Sequence, residues 1–229
     1  MKKSVFLVFG IVSLFFVNTA FAQFSRPVSV GVGAGGTLSL ADLGNSDIRF
    51  AGHIDVDGLI TPYISVGVHG EKGILSAYGW NSEFENRYYT LNGNVKVRLG
   101  QFLSLPDNYS NYTLRASILN QILANIYLGG GVGFIKNSIE NSIDPNYVES
   151  ISNMGGEITD DLNSENLVIP LNIGLDIPLG RSLYGPKWAI NLNYQHSLLP
   201  KDNLDGVINK KNDQYSYLSL GVKMALFNR

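Results

Sequence analysis

Short segments in which apolar and polar residues alternate recur along most of this chain, and they constrain its fold more than any other feature. In residues 167–179, every odd-numbered position is Leu or Ile, whereas the even-numbered positions include Asn172, Gly174 and Asp176. A period of two is typical of a β-strand whose two faces meet different surroundings. The pattern therefore predicts an all-β protein with one apolar face on each strand.

Eight segments have this pattern, which is the number of strands in the smallest membrane barrels. They are residues 28–40, 50–59, 63–75, 88–103, 126–136, 167–179, 188–197 and 214–227. We predict that they form an antiparallel up-and-down transmembrane barrel, with polar loops at 77–87 and 137–166. Apolar residues at helical spacing between Leu114 and Ile126 predict a short amphipathic helix over 114–124, with a longer fifth strand as the alternative.

The first 22 residues have the features of a cleaved secretory signal peptide. Lys2 and Lys3 precede an apolar run at 5–17, and Ala20 and Ala22 form a small-x-small cleavage site. Residues 23–229 then form one domain, in which no apolar run reaches the roughly 18 residues that a transmembrane helix needs. An exported chain with an apolar face on each strand is most simply a closed barrel in an outer membrane.

Alternation alone leaves open which face of the strands meets lipid. A soluble lipocalin-like carrier is also an eight-stranded barrel, but its apolar face lines the interior. Charged residues make up only 16% of this chain, and the polar faces are mostly Gly, Ser and Asn. Soluble surfaces usually have more charge than this, so we expect the apolar faces to contact lipid.

The composition excludes several classes of function. The chain has no cysteine, which excludes disulfides, thiolate metal sites and a cysteine nucleophile. The net charge is −2 and no basic stripe is present, so we expect no nucleic acid as a partner. Residues 31–36 match the spacing of a dinucleotide-binding loop, but no helix is predicted after them, so we interpret these glycines as strand residues.

The predicted barrel resembles the small eight-stranded outer-membrane proteins of the OmpA membrane-domain and OmpX type. The resemblance covers the strand pattern of residues 23–229, and segment 215–227 resembles the last strand that such proteins present to the barrel assembly machinery. Phe227 departs from the family pattern because Asn228 and Arg229 follow it. The resemblance implies a monomer in the outer-membrane lipid of a Gram-negative-type cell, without a second, peptidoglycan-binding domain.

The polar faces gather charged residues of both signs. We predict that they form a charge network in the lumen, made of Asp55, Asp57, Glu71, Lys96, Arg98, Asp176 and Lys223. An eight-stranded barrel is just wide enough for side chains to fill it, and buried charges have to be paired. We therefore predict a largely closed lumen, with a narrow solute channel or binding barrel as the alternative.

His53 and His69 are candidate metal ligands, although we expect no metal and no cofactor. If the turn after the second strand centres on Thr61, these two histidines lie directly opposite each other on neighbouring strands. Asp55 and Glu71 then complete a possible ligand set for a divalent metal ion.

Two further features bear on function. The acidic segment 137–166 contains no Lys or Arg; we expect a solvated outer loop open to a surface partner, with calcium binding as the alternative.

His196 and Ser197 suggest a lipid-ester hydrolase, but adjacent strand residues point to opposite faces. We therefore predict a non-enzymatic protein for envelope integrity, adhesion or partner contact.

Overall fold

The computed structural model describes residues 28–40, 45–61, 63–79, 82–102, 118–142, 157–158, 163–179, 187–201, 204, 207–208 and 213–226. The predicted signal peptide, residues 114–117 of the predicted helix, and Phe227 lie outside these ranges.

The described chain is almost entirely β-structure. In chain order, the strands are β1 (Val28–Ser39), β2 (Asn45–Leu59), β3 (Ile64–Gly79), β4 (Ser82–Arg98), β5 (Ile126–Ser142), β6 (Glu157–Ile158), β7 (Glu165–Leu179), β8 (Trp188–Leu198), β9 (Val207–Ile208) and β10 (Gln214–Leu226). A 3-10 helix, Leu99–Phe102, follows β4, and the helix α1, Ile118–Ala124, precedes β5.

Eight of these strands close into a barrel in the order β1-β10-β8-β7-β5-β4-β3-β2. All neighbouring strands are antiparallel, and β1 pairs with β10 to close the ring. The predicted eight-stranded up-and-down barrel is confirmed. The short strands β6 and β9 pair only with each other, so they link the β5–β7 and β8–β10 connections.

The predicted helix is present as α1, which covers the second half of segment 114–124. Leu119 and Leu123 are exposed on it, whereas Ala124 is buried. In the part of the chain that the structure describes, no helix has the length and apolarity to span a membrane.

The predicted loop at 77–87 is wrong, because β3 and β4 pair out to Gly79 and Ser82. Alternation of apolar and polar residues does not reveal these strand ends. The backbones of β3 and β4 remain hydrogen-bonded there, although neither face of the hairpin needs to be apolar. For the same reason β5 extends to Ser142, so residues 137–142 of the predicted acidic loop are strand. The fourth strand begins earlier than predicted, at Ser82, and ends earlier, at Arg98, and the 3-10 helix follows from Leu99.

We call the end of the barrel where β1 begins and β10 finishes the terminal end, and the opposite end the loop end. The apolar face of each strand points outward: Leu91 and Phe134 are 61% and 69% exposed. The polar face points inward: Asp57 and Lys96 are only 3% and 5% exposed. This arrangement is the reverse of a soluble protein and confirms the predicted orientation of the two faces.

Candidate functional site

The interior near the terminal end holds a charged cluster, which we define as Asp57, Lys96, Arg98, Asp176 and Lys223. Lys96 Nζ donates to both carboxylate oxygens of Asp57, at 2.8 and 2.9 Å. Arg98 Nη2 donates to Asp176 Oδ2 at 3.1 Å. Lys223 Nζ joins the two pairs, since it lies 3.1 Å from Asp57 Oδ2 and 3.4 Å from Asp176 Oδ1. Five side chains from four strands therefore form one connected network of opposite charges.

Tyr127 packs against this charged cluster from β5. The Nζ atoms of Lys96 and Lys223 each lie 5.6 Å from the centre of its ring, within the range of a cation–π contact. Its hydroxyl donates to Asn193 Oδ1 and accepts from Asn191 Nδ2, both at 3.0 Å. The ring fills the barrel beside the lysines and leaves the buried phenol fully hydrogen-bonded.

A second group, the histidine layer, lies further toward the loop end and comprises His53, His69, Glu71, Gln195 and Tyr217. Glu71 accepts hydrogen bonds from Tyr88 and, at 3.0 Å, from Gln195. His69 Nε2 lies 3.5 Å from Glu71, and His53 Nδ1 lies 2.9 Å from the Tyr217 hydroxyl. Glu71 therefore belongs to this layer and does not contact the charged cluster, with which it was grouped in the predicted lumen network.

The predicted facing pair of histidines is wrong by two residues of register. His53 is paired with Glu71, and His69 is paired with Asp55. The two imidazole rings are diagonal neighbours with centres 5.0 Å apart, and His53 Nε2 lies 3.7 Å from Asp55 Oδ1. Among the described residues, no three His, Cys, Asp or Glu side chains are grouped so that they could hold a metal ion.

Glycines in β1 make room for the side chains of His53 and of its neighbour Asp55. A Cβ atom at Gly31 would overlap the carboxylate of Asp55, and one at Gly33 would overlap the His53 ring. Residues 31–36 therefore lie within a barrel strand, as predicted, and their spacing reflects the close approach of interior side chains.

An apolar layer lies in the interior near the loop end. It consists of Leu75, Tyr88, Ile135, Val168, Leu199, Leu204 and Tyr215. Leu204 comes from the connection between β8 and β10 and is fully buried. Its backbone N–H donates to Asp213 Oδ2 at 2.6 Å, and its carbonyl accepts from Asn86 Nδ2 at 2.8 Å. These bonds hold a loop residue inside the barrel wall.

The terminal end retains a small recess of about 30 Å³. Charged and polar groups line part of it, including Arg98, Asp176, Lys187 and Lys223, beside the ring of Trp188. The recess lies directly against the charged cluster, so that cluster faces the terminal opening.

The described parts of the acidic segment 137–166 belong mostly to strands. Glu157 lies in β6, and Glu165 begins β7. Glu165 is 3.5 Å from Lys136, and both side chains are largely exposed. The predicted calcium or partner contacts of residues 143–156 and 159–162 lie outside the described residues.

The neighbours His196 and Ser197 point to opposite faces, as predicted from strand parity. Ser197 is completely buried inside the barrel, where Gln195 donates to its hydroxyl. His196 points outward and instead contacts Ser216 and Gln214 of β10. Sequence reasoning missed these two partners, because only the pairing of β8 with β10 brings them beside His196.

An antiparallel closed barrel with an apolar exterior and an ion-paired polar interior belongs to the class of transmembrane β-barrels. No protein-family model matches the chain, and no curated protein matches it.

Several solved structures are similar to this fold. Neisserial surface protein A is 12% identical with a TM-score of 0.48, and the match covers 87% of this chain and 97% of that one. Ail of Yersinia pestis, in complex with the heparin analogue sucrose octasulfate, is 12% identical with a TM-score of 0.47, covering 88% and 100%. The outer membrane enzyme PagL is 10% identical with a TM-score of 0.33, covering 86% and 99%. Because these sequence identities are low, the assignment of this chain to the transmembrane β-barrels depends on its own strand order and on the two faces of its strands.

Proposed function

We propose that this protein is a monomeric outer-membrane barrel, exported through cleavage of residues 1–22 and inserted by the barrel assembly machinery. The signal-peptide features of the sequence support export, and the outward apolar rows support a lipid setting. The barrel strands have 11 to 17 residues, enough for the roughly 9–11 residues of one tilted membrane crossing.

The location is tested by gel electrophoresis of membrane fractions with and without boiling. We expect the protein in the outer-membrane fraction, with a band that changes its mobility only after heating. The reason is that detergent does not unfold a barrel in which every strand has two hydrogen-bonded neighbours. Recovery as a soluble periplasmic protein without a heat-dependent shift would contradict the proposal.

We propose further that the lumen is closed and non-catalytic, and that the outer loops make the contacts on which function depends. The observation that supports this proposal is that the charged cluster, the histidine layer and the apolar layer occupy successive levels of the interior between the terminal end and the loop end. The role supported best is that of a surface protein for envelope integrity or adhesion, with the connection between β5 and β7 available to a partner.

A planar-bilayer recording separates this role from that of a narrow solute channel, for which the recess beside Lys223 is the specific argument. We expect no discrete current steps from the folded protein, because ion pairs and the buried Leu204 occupy the path. A heat-shift gel of the same sample verifies folding. Regular steps in the wild-type protein that change size in Lys96→Met would overturn the closed lumen.

A further inference from the structure

An outward-facing polar cluster lies on β8 and β10 near the loop end, and we define it as Tyr194, His196, Gln214 and Ser216. His196 Nδ1 is 3.1 Å from Ser216 Oγ, and His196 Nε2 is 3.1 Å from Gln214 Oε1. The Tyr194 hydroxyl is 3.0 Å from the same Ser216 Oγ. Both ring nitrogens of one histidine are thus engaged, one by a hydroxyl and the other by a side-chain carbonyl.

The donors and acceptors of this cluster follow from its chemistry. Gln214 Oε1 only accepts, so His196 Nε2 carries the proton and donates to it. In the neutral ring Nδ1 is then an acceptor, and the Ser216 hydroxyl donates to it. Since that proton is used, Tyr194 donates its own proton to Ser216 Oγ. A hydroxyl aimed at a histidine base, with a third group holding the opposite side of the ring, is the arrangement of an activated serine.

The polar cluster is surrounded by apolar residues on the outward face of the barrel. Ser216 is paired with Leu38 of β1, and His196 is paired with Leu171 of β7. Leu218 follows on the same outward face and is 55% exposed. Polar groups on an apolar, lipid-contacting face carry a desolvation cost, which these four groups reduce by bonding to one another. Ser216 lies on the outward face but is only 8% exposed, and Tyr194 and His196 contact its hydroxyl there.

We propose that this polar cluster is an esterase site that acts on acyl esters of lipids, with Ser216 as the nucleophile and His196 as the base. Ser216 Oγ attacks the ester carbonyl carbon while its proton moves to His196 Nδ1. The tetrahedral intermediate then collapses, and the leaving alcohol takes that proton, which leaves an acyl-serine. Water then attacks the acyl carbon while His196 Nδ1 takes its proton. The bond to Ser216 Oγ breaks, the serine oxygen takes that proton back, and the fatty acid leaves. The Tyr194 hydroxyl, which donates to Ser216 Oγ before the reaction, turns to the oxyanion as it forms, and Gln214 is a positioning residue.

This inference departs from the prediction of a non-enzymatic protein, but it leaves the closed lumen unchanged, because Ser216 and His196 lie outside it. It rests on the proposed membrane setting only for its natural lipid substrate. The assay therefore uses the folded full chain in detergent micelles, with p-nitrophenyl octanoate as substrate and a fluorophosphonate as a covalent serine probe. A heat-shift gel shows separately whether the barrel is folded and membrane-derived.

We expect ester hydrolysis by the wild-type protein and mass-spectrometric labelling at Ser216. Ser216→Ala should abolish both, and His196→Gln should lower the rate by about 10²–10⁴-fold, the usual contribution of a general base. Gln214→Glu should increase kcat without changing KM, since a carboxylate also accepts the His196 Nε2 proton and stabilises the charge that the ring gains in the transition state. A merely structural role of Gln214 gives no such separation of kcat from KM.

Ser138→Ala is the matched control, because Ser138 is another outward strand serine and has no histidine among its hydrogen-bond partners in the described structure. It should hydrolyse the ester at the wild-type rate. Absence of hydrolysis and of Ser216 labelling in a heat-shifting wild-type barrel would overturn the esterase site and leave the outer-membrane proposal intact. Equal labelling of wild type and His196→Gln would overturn it as well.

Discussion

Lys223→Met is expected to lower the free energy of unfolding by about 1.5–3 kcal/mol, which is the usual contribution of a hydrogen bond to a charged group. Methionine keeps most of the aliphatic stem but removes the charge that lies between Asp57 and Asp176. Both carboxylates then retain only one cation each, Lys96 and Arg98. Urea unfolding of the barrel in lipid vesicles, followed by tryptophan fluorescence, measures the change.

Lys136→Met is the matched control for this experiment. Lys136 also forms an ion pair, with Glu165 at 3.5 Å, but the two side chains are 64% and 73% exposed. Exposed pairs contribute about 0–1 kcal/mol, so this variant should unfold close to the wild type. Similar losses in both variants would show that the buried position of the charged cluster gives it no special role in stability.

Gly133→Val is expected to destabilise the barrel by at least the roughly 1–3 kcal/mol typical of an overpacked interior, and to reduce the yield of heat-shifting protein. Gly133 is buried on β5, and a Cβ atom there would overlap the carbonyl oxygen of Leu91 and the side chain of Asn92. Because the carbonyl of Leu91 belongs to the backbone of β4, the clash can be relieved only if β4 shifts relative to β5.

Gly93→Val provides the comparison on the adjoining strand. Gly93 faces outward on β4, and a Cβ atom there meets nothing within 4 Å. A β-branched residue is well suited to a strand, so this variant should fold with the wild-type yield. If Gly133→Val matched it in yield and in urea midpoint, the tight interior packing of β5 would be disproved.

Much of the fold follows from alternation alone. The alternation of apolar and polar residues places Lys96 and Lys223 on the inward faces of two strands that are far apart in sequence. A closed barrel of eight strands has so little interior width that such residues have to meet. The charged cluster could therefore be predicted from the sequence once the strands were assumed to close into a barrel. Its separation from the histidine layer could not be predicted.

The register of β2 against β3 could not be predicted from the sequence, because it depends on the conformation of one turn. The Thr61 hydroxyl accepts from the backbone N–H groups of Tyr63 and Ile64, at 3.2 and 2.9 Å, and Ile60 donates to the carbonyl of Ile64. These bonds add residues to the turn, so the pairing centre lies one position after Thr61. His53 consequently faces Glu71 and not His69.

The outward polar cluster was missed for a related reason. Sequence adjacency drew attention to His196 and Ser197, whereas the contact that matters crosses between strands. Ser216 lies twenty positions away from His196 and becomes its neighbour only through the register of β8 with β10. No local pattern encodes that register, because the connection between the two strands includes a short second sheet and the buried Leu204.

The pairing of β1 with β10 also imposes an order of events on biogenesis. Its twelve paired positions run from Val28 with Leu226 to Ser39 with Tyr215, so the first strand synthesised waits for the last. Until then the sheet has two free edges, which are sites for aggregation, and closure between such distant segments is slow. A chain truncated before Gln214 is therefore not a weakened barrel. It is an open sheet in which β1 is paired with β2 on one edge and unpaired on the other, so the barrel closes only when the final strand is present.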